Sequence, residues 1–295
     1  MIVIIGASSS LGRATARLLL AEGKPLRAVT RIPSVLDHLG RLGAEVVRGD
    51  LRDPESLAKA CEGAAQVFAT THAFNGKGDN TPQTVDDVGN RRLIDIAKAE
   101  GVQHFVFTSA LGARPDHPVD FFRIKYKIEE HLKASGLSYT VLRPAAFMEF
   151  WAGLIGAPII ARGKTTIFGR GENPINFVSV EDVSRYAAIA LESPSARGRV
   201  IEIGGPQNLS PLQVAATFER LANRSAAKRH VPVWAMRAMS ILLRPVNPAL
   251  CRQIRAGIHM DTARQDFDVT ETAREFGVNP TPLEDVVRRH FLNAQ

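Results

Sequence analysis

Along the first two-thirds of the chain, short apolar runs rich in β-branched residues alternate with longer stretches of helical pattern. The runs predict strands, and the longer stretches predict helices. The predicted strands are Ile2–Ile5, Leu26–Thr30, Glu45–Arg48, Gln66–Thr70, His104–Thr108 and Tyr139–Leu142. Because parallel neighbours need a crossover between them, this alternation predicts an α/β fold: a doubly wound parallel sheet with helices on both faces.

Residues typical of helix ends punctuate the predicted helices. Asp53-Pro54 and Thr81-Pro82 each offer an N-cap followed by a proline at the first helical position. Gly23 and Gly101 stand where two helices should end. The crossovers are therefore predicted to be helical.

The pattern changes after Pro144. Glycine and proline become frequent, one further strand is predicted at Val200 to Ile203, and the chain from Ser210 onward is almost wholly helical in pattern. We predict a Rossmann domain over residues 1–150 and a smaller, mostly helical C-terminal lobe over residues 151–295, with residues 175–205 returning to the Rossmann sheet.

Composition adds few constraints. A chain of 295 residues with 45% hydrophobic content can bury a full core without disulfide or metal support. Cys61 and Cys251 belong to no Cys/His cluster, so we expect buried thiols and no metal site. Met1 leads directly into the first strand, and no apolar run approaches the roughly 18 residues of a membrane span, which predicts a cytoplasmic protein.

The basic residues are unevenly placed within a net charge of +7. Residues 221–260 contain no Asp or Glu, yet carry Arg224, Lys228, Arg229, Arg237, Arg244, Arg252 and Arg255. The pattern favours a helical lobe with solvated arginines and leaves open a peripheral membrane or acidic protein contact. No nucleic-acid-binding module is recognisable, and the oligomeric state stays open.

The first strand runs into a turn rich in small residues. Gly6 and Gly12 occupy the first and last positions of a dinucleotide-binding glycine turn, and Ser9 occupies the middle one, where its hydroxyl could donate to a phosphate. Backbone N–H groups at the following helix N-terminus suit a pyrophosphate. The predicted cofactor-binding residues of the turn are Gly6, Ala7, Ser8, Ser9, Ser10, Leu11 and Gly12.

Residues after the second and third predicted strands indicate which dinucleotide binds. Arg31 follows the second strand, where an acidic residue would hold a ribose 2′-hydroxyl, and its guanidinium suits a 2′-phosphate. NADP is therefore preferred, and NAD is possible. After the third strand, Asp50 and Leu51 are predicted to contact the adenine. A solvated Arg31 and a turn role for Asp50 are the alternatives.

These residues, together with more distant motifs, resemble the atypical short-chain dehydrogenase/reductases, in particular the NmrA-like, isoflavone-reductase-like and complex I accessory subunit-like proteins. The resemblance covers essentially the whole chain. The motifs that carry it include Phe107–Gly112, Lys125–Glu130, Ser135–Pro144, Phe177–Val183 and Ile203–Pro206.

The resemblance implies catalytic roles for Ser109 and Lys125. Ser109 matches the serine that would hydrogen-bond the acceptor, and Lys125 the lysine that would hold the nicotinamide ribose and polarise the acceptor. The tyrosine position four residues earlier is Phe121, so the usual proton donor is missing. Isoflavone-reductase-like members rely on the lysine, whereas some NmrA-like members are regulators. The alternative for Lys125 is a surface lysine paired with Glu129.

The remaining candidates come from the carboxyl ends of strands, where open parallel sheets bind ligands. Thr70, Thr71 and Pro144 are predicted to contact the cofactor. Phe147, Met148 and Trp151 are predicted to form an apolar substrate wall, with core packing as the alternative. His117 is the candidate substitute acid.

Two hypotheses follow for the activity. The first is an NADPH-binding reductase of an apolar carbonyl, quinone or activated alkene. The second is a non-catalytic NAD(P)-binding regulator, redox sensor or assembly factor.

Overall fold

The computed structural model describes residues 1–76 and 78–292. The strands are β1 Ile2–Ile5, β2 Leu26–Thr30, β3 Glu45–Arg48, β4 Gln66–Ala69, β5 His104–Thr108, β6 Ser138–Pro144, β7 Ala146–Phe147, β8 Lys164–Phe168, β9 Ile175–Val178, β10 Arg199–Ile203, β11 Asn208–Leu209 and β12 Ala227–Val231. The α-helices are α1 Ser10–Ala21, α2 Asp37–Gly40, α3 Pro54–Cys61, α4 Asn90–Ala99, α5 Asp120–Ala134, α6 Gly153–Arg162, α7 Val180–Glu192, α8 Pro211–Leu221, α9 Val233–Leu242, α10 Pro248–Thr262, α11 Thr270–Phe276 and α12 Leu283–Val287. Short 3-10 turns span Pro33–Leu36 and Pro194–Ala196, and π-helical turns span Pro82–Gly89, Met148–Ala152 and Arg288–Leu292.

The chain divides into two compact units. The first joins Met1–Arg143 to Val180–Glu202, and the second joins Pro144–Ser179 to the chain from Ile203 onward. The predicted return to the main sheet at residue 175 is too early, because β9 pairs with β7 and β11 in a separate three-stranded sheet.

A seven-stranded sheet forms the centre of the first unit, in the order β10-β6-β5-β4-β1-β2-β3. Pairing is parallel from β3 through β6. Every residue of β1 and β5 is buried, which explains why β1 is wholly apolar and β5 is apolar between His104 and Thr108. The sequence order of the strands reverses between β1 and β4, and such a switch point is where doubly wound folds bind ligands.

The predicted helix ends are confirmed. The Asp53 side chain accepts a hydrogen bond from the Ser56 N–H and caps α3. Thr81 forms a capping box at the start of the π-helical turn that continues into α4. Gly23 and Gly101 follow α1 and α4 with φ of 72° and 75°, which is the left-handed backbone that glycine adopts without strain.

The second unit is built around a core that includes Met148, Phe177 and Phe218. Its C-terminal part is not as fully helical as predicted, because β12 pairs in parallel with β8 from Ala227 opposite Lys164 to Val231 opposite Phe168. Four of the five β12 residues are exposed, so the strand carries no alternation of apolar and polar residues that a sequence could reveal.

Both cysteines are buried, as predicted. Burial raises the pKa of the Cys61 thiol to about 12. No helix in the described part of the chain is both long and apolar enough to cross a bilayer.

Candidate functional site

The glycine turn after β1 is shaped by two close backbone approaches. Gly6 has a φ of 90°, and a Cβ there would lie 2.8 Å from Thr71 Cγ2. A Cβ at Gly12 would lie 2.4 Å from the Gly6 carbonyl oxygen. No side chain fits at either position, so the start of α1 sits directly against the end of β1.

Ser9 has a structural role beside the predicted one of phosphate donor, which stays a prediction. It is the N-cap of α1, and its hydroxyl oxygen accepts a hydrogen bond of 2.9 Å from the Gly12 N–H. First-turn N–H groups of a helix lack intrahelical acceptors, and α1 has no acidic residue in its first turn to satisfy them. The turn therefore offers bare N–H groups and the positive end of a helix dipole to an anion.

The ends of β2 and β3 carry two charged groups. The Arg31 guanidinium is exposed and donates to Asn80 Oδ1 at 2.8 Å, which holds the side chain in place. Asp50 accepts hydrogen bonds from the backbone and the side chain of Arg52, and this pairing holds the pKa of the Asp50 carboxyl below its ordinary value. The turn role considered for Asp50 is therefore present.

These strand ends enclose a cavity of about 310 Å³ in the first unit. The predicted cofactor-binding residues on its wall are Gly6, Ser8, Ser9, Arg31, Asp50, Leu51, Thr70 and Thr71. The wall also contains residues that the sequence analysis missed, namely Ile5, Val29, Thr30, Gly49, His72, Ala73, Asn75, Gly76, Asn80 and Val85. The cavity lies at the switch point between β1 and β4.

Lys125 lies behind this wall and is 2% exposed. Its ammonium donates to the Thr108 carbonyl at 3.0 Å and to the Thr71 carbonyl at 3.3 Å, and Nζ lies 3.6 Å from Asp86 Oδ1. Burial lowers the pKa of Lys125 and raises that of Asp86, while the mutual attraction opposes both shifts. The alternative of a surface lysine paired with Glu129 is wrong, because Lys125 is buried and Asp86 is its partner.

Glu129, one turn along α5, belongs to a second buried cluster. Its carboxylate accepts from Arg143 Nε at 3.0 Å and Nη2 at 2.7 Å, and also from the Ser109 hydroxyl. Glu129 is 0% exposed and Ser109 4%. The two predicted catalytic side chains, Lys125 and Ser109, thus lie near the ends of β4 and β5 with their donors engaged by protein groups.

Phe121 occupies the expected tyrosine position, one turn before Lys125 on α5. Its ring packs edge-on against Phe74 at 5.2 Å, and Lys125 Nζ lies 5.6 Å from its centroid. Nζ also lies 4.8 Å from the Phe107 ring centroid. The Lys125 ammonium therefore lies near two aromatic rings, and Phe121 offers it no phenol hydroxyl.

The remaining predicted residues divide between the two units. In the second unit, Met148 is 1% exposed and packs in the core, Phe147 and Trp151 are half-buried, and Pro144 is buried. Met148 thus has the core packing that was its alternative. In the first unit, His117 is 2% exposed, its Nδ1 accepts from the Val119 N–H at 3.1 Å, and its ring packs on Phe122.

Asp86 and Asn90 were also missed by the sequence analysis, although both are 0% exposed and polar. Asp86 Oδ2 accepts from the Ala73 N–H at 2.8 Å, and Asn90 Oδ1 accepts from the Thr71 hydroxyl at 3.1 Å. Both residues lie four positions apart on one helical stretch, facing the end of β4. An Asp and an Asn spaced i, i+4 after a capping box are the signal that could have indicated them.

Three comparisons place the chain among known proteins. The model of the NmrA-like family matches residues 1–273. The NAD(P)H azoreductase of Xenophilus azovorans is 31% identical over 225 residues, covering 76% of this chain and 74% of that protein. The photosystem II assembly factor Ycf39 of Trieres chinensis is 25% identical over 298 residues, covering 99% of this chain and 92% of that protein.

Among solved structures, an NADPH-dependent quinone oxidoreductase from Escherichia coli, crystallised with NADPH, matches with a TM-score of 0.80 at 22% sequence identity. The match covers 99% of this chain and 100% of that chain. It confirms the predicted doubly wound fold.

Proposed function

Since this chain belongs to the NmrA-like family, we propose that it binds NADPH and transfers a hydride to an apolar carbonyl, quinone or activated alkene. The observation that carries the proposal is the single cavity that brings the glycine turn, the α1 N-terminus and Arg31 together. The azoreductase relative supports reduction of a small apolar or aromatic substrate. A cytoplasmic location is proposed with it.

The residues present fit a dinucleotide. Gly6 and Gly12 leave no room for side chains, so a pyrophosphate could approach bare backbone at the start of α1. Arg31, held by Asn80, would take the 2′-phosphate, and Leu51 would take the adenine ring. NADPH, when bound, supplies the hydride.

The cofactor preference is tested by titrating the full chain with NADPH and with NADH. A charge-assisted hydrogen bond contributes about 1.5–3 kcal/mol, so Arg31→Gln should weaken NADPH binding about tenfold or more and leave NADH nearly unchanged. Arg41→Gln, at an exposed arginine that directly follows α2, is the matched control. Equal weakening of both cofactors by Arg31→Gln would contradict the preference for NADP.

For catalysis, we propose that Lys125 and Ser109 act as positioning residues. Lys125 holds the Thr71 carbonyl, and Thr71 lines the cavity, so the ammonium fixes one wall of the site. Ser109 ties the end of β5 to Glu129 on α5. Lys125→Met should then raise the KM for NADPH more than it lowers kcat, and Lys125→Arg should restore part of the binding.

The proton for the reduced product is proposed to come from His72 or from water. Among the described residues, His72 is the only histidine on the cavity wall, and its Nδ1 accepts from the Phe74 N–H at 3.4 Å. That bond leaves the transferable proton on Nε2. His72→Gln should therefore remove a titrating limb from the pH profile of kcat, whereas His117→Gln should leave the profile's shape unchanged.

A second candidate is a non-catalytic nucleotide-binding regulator or assembly factor. The match to the assembly factor of Trieres chinensis over nearly the whole chain favours it, together with Phe121 at the tyrosine position. Residues 221–260 would then contact an acidic protein or a membrane surface. NADPH binding without oxidation across a panel of quinones, azo dyes and aromatic carbonyls would favour this candidate over the reductase.

A further inference from the structure

Helix α9 presents an apolar stripe to solvent. Trp234, Ile241 and Leu242 are 74%, 69% and 74% exposed, and Val246 just beyond the helix is 81% exposed. At about 100° per residue, positions 234, 238, 241 and 242 fall on one face of the helix. Exposed apolar residues are common singly, but a continuous helical stripe of this size marks an interaction surface.

The opposite face of α9 is firmly packed. Met236 is 1% exposed and Ser240 is 6% exposed. The helix contacts α10, and a Cβ built at Gly257 would lie 3.3 Å from Met236 Cε. The α9 helix therefore packs one face against the protein and exposes a second, apolar face to solvent.

Positively charged residues lie beside the stripe on α9 and just after it. Residues 221–260 contain no Asp or Glu. Arg237 lies on α9 about 60° from Trp234, and Arg244 follows the helix. In the described part of the chain, Arg229, Arg237, Arg244 and Arg255 form no salt bridge, so their charge is available to an external anion.

We propose that this α9 surface, defined by Trp234, Ile241, Leu242 and Val246 with Arg237 and Arg244, docks the protein onto an anionic lipid bilayer. Tryptophan favours the headgroup region, and an amphipathic helix places its apolar face into the boundary between headgroups and acyl chains. The arginines would meet lipid phosphates. This inference goes beyond the nucleotide site and does not depend on it.

The shape of the surface favours lipid over an acidic protein. The four apolar side chains, three on α9 and Val246 just beyond it, stand at 69–81% exposure. Exposed apolar side chains can insert into a lipid headgroup layer because that layer deforms around them. A protein partner would need a surface groove of complementary shape. A membrane also matches arginines that are spread over residues 221–260, a run that contains no Asp or Glu.

The test is sedimentation of the full chain with vesicles of phosphatidylcholine alone and of phosphatidylcholine with about 30% phosphatidylglycerol. We expect binding to the anionic vesicles at low salt, little binding to the neutral ones, and loss of binding at high salt. Absence of binding to anionic vesicles at low salt would overturn the proposal.

Two variant pairs separate the apolar and the charged contributions. The triple variant Trp234→Ser/Ile241→Ser/Leu242→Ser should lose binding at least tenfold, and Leu42→Ser/Leu154→Ser, which alters exposed leucines elsewhere, should not. Arg237→Gln/Arg244→Gln should weaken binding about fivefold per residue, whereas Arg17→Gln/Arg41→Gln should have little effect. Equal binding by the triple variant and the wild type would overturn the proposal.

The location of the contact is read from tryptophan fluorescence. The chain has two tryptophans, so Trp151→Phe leaves Trp234 as the only reporter. Its emission should shift to the blue on anionic vesicles and be quenched by brominated lipid. If vesicles leave the emission unchanged, Trp234 does not enter the bilayer and the proposal fails. The proposal also fails if the wild-type chain is a dimer that the triple variant converts into a monomer, because the stripe is then a dimer interface.

Discussion

Two sets of positively charged side chains, one in each unit, differ in whether a carboxylate neutralises them. In the first unit, Lys125 and Arg143 are largely removed from water, and each is matched to a buried carboxylate, Asp86 and Glu129. In the second unit, residues 229–255 contain exposed arginines with no acidic residue near them in sequence.

This difference follows from the energy of burying charge. An unpaired ion in a protein interior loses several kcal/mol of hydration, so a buried cation persists only with a partner. An exposed cation keeps its hydration and needs none. The paired cations therefore stabilise the fold around the nucleotide site. The unpaired cations are available to bind an anionic partner at the surface.

The largest expected effect comes from removing one partner of the most deeply buried pair. Asp86→Asn leaves the Lys125 ammonium without its carboxylate. The variant should lower the free energy of unfolding, measured by urea denaturation, by about 3–5 kcal/mol. Asp116→Asn, an exposed aspartate paired with Arg114, should cost less than about 0.5 kcal/mol. If the two variants lose equal stability, the comparison between buried and exposed charges does not hold.

A double variant measures the coupling between Asp86 and Lys125. Asp86→Asn with Lys125→Met removes both charges, so the stability lost should be smaller than the sum of the two single losses. Additive losses would mean that the two residues act separately.

The Ser109 hydroxyl gives the next largest effect. Ser109→Ala removes a hydrogen bond to the buried Glu129 carboxylate, whose other acceptor sites Arg143 still satisfies, so we expect a loss of about 1.5 kcal/mol in urea unfolding. Ser193→Ala removes only an exposed hydroxyl pair with Ser195 and serves as the control. A Ser109→Ala protein as stable as the wild type would show that this bond contributes nothing to the cluster.

The sequence predicts the first unit well because the central strands β1 and β5 are buried throughout and two of its helical segments begin at strong caps. All six early strands and the residues Gly6, Gly12 and Arg31 follow from local signals. Lys125 was found through its motif, but its partner was not. Asp86 lies 39 positions earlier in the chain, and only the packing of α5 against the π-helical turn brings the two together.

The second unit is harder to predict because some of its elements are exposed and polar. The β12 strand is exposed and polar, so its pairing with β8 leaves no periodic signal. Met148 reads equally well as a substrate contact and as a core residue, because an apolar side chain fits either environment. The acid-free run at 221–260 was visible in the sequence, but the exposed apolar stripe on α9 required the structure.

A smaller effect is expected for the exposed arginines. Arg237→Gln and Arg244→Gln should change the free energy of unfolding by no more than about 0.5 kcal/mol, because neither side chain has an ionic partner in the described part of the chain. Urea unfolding without vesicles gives the value. A loss above about 1 kcal/mol would mean that these arginines stabilise the fold, as Arg143 does.

Lys228 differs from Arg237 and Arg244 in having an ionic partner, so its expected effect depends on pH. Its ammonium lies 2.7 Å from Glu219 Oε2 on α8, and this bond holds the pKa of Glu219 below its ordinary value of 4.5. Because the folded carboxylate is the harder one to protonate, the pair stabilises the protein above that pH and loses its contribution as the pH falls through the folded pKa.

Lys228→Gln should therefore cost about 0.2–1 kcal/mol near neutral pH, and the difference from the wild type should disappear in acid. Urea unfolding across the acid range measures it, with Arg229→Gln as the unpaired neighbour that should show no such pH dependence. Since Lys228 is already neutralised by Glu219, it should also contribute less to vesicle binding than Arg237 does. An equal loss of vesicle binding from both would mean that local pairing does not decide which cations of this segment are available to an external anion.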